Sequence, residues 1–129
     1  MPNLQQLRSS LHFRNLLCWQ EAHALALMVY KTTENFPRQE QFGLASQLRR
    51  AATSVTSNIA EGYGRQSVAD KLHFYTMARG SLLEIQSQVV LARDLGYLKI
   101  SEEEEFLSRS ILAHKLINGL IAKMRTKQC

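Results

Sequence analysis

Leu44, Leu48, Ala51, Val55 and Ile59 recur at steps of three and four, which places them on one stripe of a helix. Arg49, Arg50, Asn58 and Glu61 lie off that stripe, and Ala45, Ala52, Ser54, Ser57 and Ala60 keep the neighbouring faces slim. Residues 53–57 include β-branched side chains of poor helix propensity, at a cost of about 0.5 kcal/mol per residue relative to Ala. The stripe crosses them without a break, so the pattern predicts a helix over 42–62. Slim on several sides, it suits the centre of a bundle and of an assembly.

Residues 1–14 show no clear periodicity and read as an N-terminal arm. From Asn15, an expected N-cap, a helix over 15–35 carries Leu16, Trp19, Ala22 or His23, Ala26, Tyr30 and Thr33 as its main stripe. Leu25, Leu27, Met28 and Val29 make its second half apolar all round, which implies burial on more than one side. Two readings stand: a subunit contact built from Trp19, Leu25, Met28 and Val29, or a wide core face. Phe36-Pro37 ends this helix, because the residue before proline disfavours helical geometry.

Gly62 and Gly64 are expected to supply the positive-φ positions that stop the second helix. Ser67 with Asp70 opens a third over 68–95 as a variant capping box, with Val68, Leu72, Tyr75, Ala78, Leu82, Ile85, Val89 and Ala92 as its stripe. Gly96 closes it. Ser101 with Glu104 opens a fourth over 102–125, its stripe formed by Phe106, Ser110, Ala113, Ile117, Leu120 and Met124. Nothing alternates with period two, so no strand is expected. Short links make neighbouring helices antiparallel, so residues 15–127 are expected to form an all-α, up-down-up-down four-helix bundle.

A chain of 129 residues is one domain by length and buries enough surface to need no disulfide. Cys18 and Cys129 form neither a disulfide framework nor a metal knuckle and suit a reducing compartment. The start lacks a signal-peptide layout, and the longest apolar run, 24–30, is far short of the ~20 residues of a membrane span. A soluble, cytoplasmic protein with no membrane partner is expected. Sixteen basic against eleven acidic residues leave a net charge of +5, compatible with a polyanionic partner.

Catalytic and metal chemistry find little support. None of His12, His23, His73 and His114 has a glutamate three positions before it, as a bundle di-metal site requires. No metal or other cofactor is expected. There is no nucleophile elbow and no phosphate-cradling glycine loop, and Cys18 sits in apolar sequence beside Trp19. The chain therefore reads as a non-enzyme.

The glutamates at 102–105 begin the fourth helix, and Arg109, Lys115, Lys123, Arg125 and Lys127 follow. This order matches the helix macrodipole, while Lys123, Arg125 and Lys127 also make a basic tip for phosphate. One of Arg49 and Arg50 is expected to pair with a carboxylate such as Glu61 or Glu84, leaving the other for solvent or phosphate. Asn58, Glu61 and Glu84 read as polar clamps between helices, and Arg65 as a further phosphate contact.

Several ordered blocks resemble a known family: Leu17-Cys18-Trp19-Gln20-Glu21-Ala22-His23, Phe36-Pro37 with Gly43-Leu44, Gln47-Leu48-Arg49-Arg50-Ala51-Ala52, Ser57-Asn58-Ile59-Ala60-Glu61-Gly62 with Gly64-Arg65, Gly80-Ser81-Leu82-Leu83-Glu84, and Asp94-Leu95-Gly96-Tyr97. Together they are similar to the bacterial four-helix bundle proteins encoded by intervening sequences within 23S rRNA genes. The resemblance covers about residues 16–120. It implies a bundle that assembles as a homopentameric ring. The accessory variability proteins of diversity-generating retroelements, which bind nucleic acid and a reverse transcriptase, share the architecture. Two departures are an arm longer than usual and Cys18 where the family tends to have a β-branched residue.

The sequence thus points to a basic, ring-forming, non-enzymatic protein that binds structured RNA (rRNA among the candidates) or DNA through phosphates. Arg49, Arg50, Arg65, Lys123, Arg125 and Lys127 are the expected contacts. The alternative is an adaptor that docks a protein such as a reverse transcriptase.

Overall fold

The structure, a computed structural model, describes residues 1–127, so Cys129 lies outside the described residues. Four long helices carry the fold: α2 (Leu17–Thr33), α3 (Leu44–Gly64), α4 (Val68–Asp94) and α5 (Ile100–Thr126). A short helix α1 (Leu4–Ser9) and two 3-10 turns, His12–Asn15 and Arg38–Glu40, complete the order, and no strand occurs among the described residues. None of the helices described is long and apolar enough to cross a membrane.

The helix ends depart from the sequence pattern for local reasons. The arm is not featureless: Asn3 and Gln6 cap each other reciprocally and start α1. Asn15 closes a 3-10 turn instead of capping, and α2 begins after Leu16 without a side-chain cap. Gly62 and Gly64 do not stop α3; both are helical, and the glycine with positive φ is Gly96, at 84°. Gly62 is needed for space, since a β-carbon there would sit 2.7 Å from the Tyr75 ring. Ser67 does cap α4, accepting from the Asp70 amide at 3.0 Å. Ser101 and Glu104 lie inside α5, whose start is set one turn earlier by Glu102 accepting from the Lys99 amide at 2.9 Å.

The long helices enclose one core. α3 packs against α2 and α4, and α5 packs against the same two from the other side. The stripe Leu44, Leu48, Ala51, Val55 and Ile59 is buried, as are Tyr75, Ala78, Leu82, Ile85, Val89 and Ala92 of α4. On α5, Ile121 is fully buried while Leu120 only packs against the core. On α2 the buried set is Cys18, Ala22, Leu25, Ala26, Val29 and Thr33. Leu25 and Val29, 1% and 0% exposed in the isolated chain, are therefore core residues and not subunit contacts. They pack inward because the α2 stripe is rotated toward α3, leaving Leu17, Leu27 and Tyr30 outside. Trp19 and Met28 remain half-buried against the core.

Polar cross-links fix the register. Gln47 meets Gln88, Ser54 meets Ser81 at 2.8 Å, and Gly62 lies against Tyr75, so partner numbers fall on α4 as they rise on α3. Between α4 and α5, Arg79 donates to Asn118 and Gln86 to Ser110. At one end, Tyr97 donates to Glu40 at 2.8 Å and its ring lies 5.5 Å from that of Phe36, tying the α4–α5 link to the α2–α3 link.

Candidate nucleic-acid interface

Charged residues segregate along the bundle. One end gathers the start of α2, the end of α3, the start of α4 and the end of α5. There Leu16, Leu17 and Cys18 share a depression with Leu116, Leu120 and Lys123, while Lys71 donates to the Tyr63 and Gly62 carbonyls at 2.8 and 3.3 Å. Arg14, Arg65, Lys71, Lys123, Arg125 and Lys127 lie at this end, against the acids Glu21, Glu61 and Asp70. The opposite end, marked by the Tyr97–Glu40 bond, holds Glu34, Glu40, Asp94 and the glutamates at 102–105. Such separation arises on α5 itself, whose acids begin it and whose cations end it, each favourable with the helix dipole.

The six cations expected to meet phosphate fall into three groups. Arg49 is committed inside the fold. Its Nε donates to Thr33 Oγ1 at 2.9 Å, its guanidinium reaches the Tyr30 carbonyl, and it stacks 4.9 Å from the Tyr30 ring centre. The expected carboxylate partner is replaced by the C-terminal turn of α2, whose free carbonyls attract a cation. Arg65 is partly committed, pairing with Glu61 at 3.0 Å and lying 4.7 Å over the Phe74 ring. Glu61 is thus an exposed partner within α3's last turn and not a clamp between helices.

Arg50 is exposed but does not join the basic end. It lines a cleft of about 330 Å³ between α3 and α4 with Gln47, Ser54, Ser81, Glu84 and Gln88. Glu84 is exposed on the far wall, with no hydrogen bond or ion pair among the described residues, so it too is no clamp. Asn58 acts within α3: it donates to the Ser54 carbonyl at 2.8 Å and to Ser54 Oγ at 3.0 Å, and Ser54 Oγ bridges to Ser81. The interhelical clamp is the serine pair, and Asn58 orients it.

Lys123, Arg125 and Lys127 are exposed at the end of α5, and their side chains make no hydrogen bond or ion pair among the described residues. Two further arginines escape the stripe analysis: Arg8 and Arg14 line one concavity with Leu4, Gln5 and Ser9. The absence of any acid before Glu21 is the sequence signal that marks them. Among the described residues no group of three His, Cys, Asp or Glu side chains comes together. The Cys18 thiol is pushed up to about 11 by burial, which removes it as a nucleophile near neutrality.

The model of the 23S rRNA-intervening sequence protein family matches residues 14–119. The chain belongs to this family. The 23S rRNA-intervening sequence match takes in α2, α3, α4 and most of α5, but stops before Lys123, Arg125 and Lys127 and leaves out α1. A 1.70 Å crystal structure from Bacteroides thetaiotaomicron VPI-5482, described as a protein with unknown function from the S23 ribosomal protein family, shares the fold. It is 22% identical, covering 82% of this chain and 96% of that one with a TM-score of 0.75. No curated protein matches the chain.

Proposed function

We propose that this 23S rRNA-intervening sequence protein is a non-enzymatic, cytoplasmic, up-down-up-down bundle that assembles into a ring and binds structured nucleic acid through backbone phosphates. One observation carries the reading: Lys123, Arg125 and Lys127 stand exposed and unpaired among the described residues, at the end of the bundle away from the glutamates of α5. The opposed registers of α3 with α4 and α4 with α5 support the up-down topology. Exposed Leu27, Tyr30, Ile111 and Leu112 support self-association. Five copies at +5 each would carry 5 × 5 = +25, and repeating one weak cationic patch raises affinity without any new contact. Recognition is led by shape and phosphate, since Phe74 and Tyr63 are already covered by Arg65 and Lys71.

Binding of a fluorescent 23S rRNA fragment and of duplex DNA, titrated against salt, tests this. The affinity should fall with salt, with a slope of about −0.9 for each phosphate neutralised on duplex. The combined variant Lys123→Gln, Arg125→Gln, Lys127→Gln should bind more weakly on both nucleic acids. Binding that ignores salt, or none, overturns the proposal. A reverse transcriptase that co-purifies independently of nucleic acid would favour the adaptor role instead.

A further inference from the structure

Helix α1 is well formed yet covered by nothing. Its six residues bury no side chain, and a helix of that length is marginal in water. Its start is nevertheless built with care: Asn3 accepts from the Gln6 amide at 2.8 Å and Gln6 returns the bond at 2.9 Å. Leu4, Leu7 and Leu11 follow at steps of three and four, and are 70%, 52% and 47% exposed. Arg8 flanks them.

A complementary surface lies on α5. Leu107, Ile111 and Leu112 line a shallow apolar groove of about 540 Å³ with Ser108, rimmed by Glu104 and Lys115. The groove sits in the acidic first half of α5, whereas the arm carries Arg8 and Arg14 with no acid before Glu21. In the same chain, the segment joining α1 to α2 lies against the other half of α5, beside Leu116, Leu120 and Lys123, so the groove stays open.

We infer that α1 is an assembly arm whose Leu4, Leu7 and Leu11 pack into the α5 groove of a second copy of this chain, drawn there by opposite charge. The contact is head to tail: one surface on each copy meets a different surface on the next, and such contacts close into rings. The inference rests on the ring-forming reading above. It goes beyond the family match, which begins at residue 14 and leaves α1 out.

The test is the solution mass of the full chain and of two variants, Leu7→Asp and Ile111→Asp. Both positions are exposed, so the helical circular dichroism should be unchanged. The wild type should run at a multiple of 14.7 kDa, and either variant should weaken assembly at least tenfold in concentration. An assembled wild type untouched by both substitutions overturns the arm but leaves the ring. A wild type that stays at one copy overturns both. Sensitivity to Leu7→Asp alone overturns the groove assignment. Arm-dependent binding to vesicles of anionic phospholipid, with unchanged mass, overturns the self-docking and assigns the leucines to a lipid surface.

Discussion

Gly62 of α3 lies so close to Tyr75 of α4 that a β-carbon on it would stand 2.7 Å from Cε1 and 2.9 Å from Cδ1 of the ring. Tyr75 is 2% exposed and cannot swing away, and Phe74 Cβ closes the other side at 3.1 Å. Gly62→Ala should therefore destabilise the fold by about 1–3 kcal/mol through overpacking, although alanine is intrinsically the better helix former by about 1 kcal/mol. Gly119 of α5 meets nothing within 4 Å of its virtual β-carbon, so Gly119→Ala should stabilise by about 0.5–1 kcal/mol. Urea midpoints of the two variants, moving in opposite directions, check the pair.

Arg49 should behave as a structural residue. It satisfies the Thr33 hydroxyl and covers Tyr30, so Arg49→Ala should cost about 1–2 kcal/mol by losing those contacts. Arg50→Ala, removing an exposed side chain from the α3–α4 cleft, should change stability by less than about 0.5 kcal/mol. A cycle combining Arg49→Ala with Thr33→Val should return a coupling of about 0.5–1.5 kcal/mol. Equal costs at 49 and 50, with no coupling to Thr33, would refute the assignment.

The contrast between these arginines shows what the sequence made legible. Period reads burial well where a stripe is narrow: all five stripe positions of α3 are buried, and six of the eight expected on α4. It reads badly where a helix is apolar all round. On α2 no spacing rule tells Leu25 and Val29, buried, from Leu27, exposed, because rotation is set by the helices it meets. Charge partners were the least legible. Arg49 and Arg50 are adjacent and chemically identical, and only the position of the α2 C-terminus makes one a clamp and leaves the other in a cleft. The basic end is a tertiary fact too, formed when topology brings the end of α5 beside the start of α2.

Stability should fall at alkaline pH. Burial raises Cys18 from 9.0 to about 11 and Tyr75 from 10.0 to about 12, the latter also opposed by negative charge at Cys18 and Tyr63. Folding thus holds both protons more tightly than the unfolded chain does. The stabilisation is complete below pH 9 and is lost as pH rises from 9 towards 12, by up to about 1.4 kcal/mol per pH unit for each group. Tyr97 adds to the same trend, raised chiefly by its hydrogen bond to Glu40. Denaturation at pH 8, 10 and 11 should show the decline, and Tyr75→Phe should flatten it above pH 10. A pH-independent midpoint across this range would contradict it.

The two ends of α5 should differ in how they influence nucleic-acid binding. Glu103 and Lys123 are 20 positions apart on one helix, about 30 Å at 1.5 Å per residue. The Debye length is about 8 Å at physiological salt and about 30 Å at 0.01 M. Replacing Glu103, Glu104 and Glu105 by Gln should therefore strengthen binding only at low salt, and leave it unchanged near physiological salt. Glu102 is spared in that variant because it sets the start of the helix. Replacing Lys123, Arg125 and Lys127 should weaken binding at both salt levels and reduce the salt slope by about 0.9 for each cation that met a phosphate. If the glutamate variant instead binds far more tightly at physiological salt, the phosphates lie along the length of the bundle and not at its basic end.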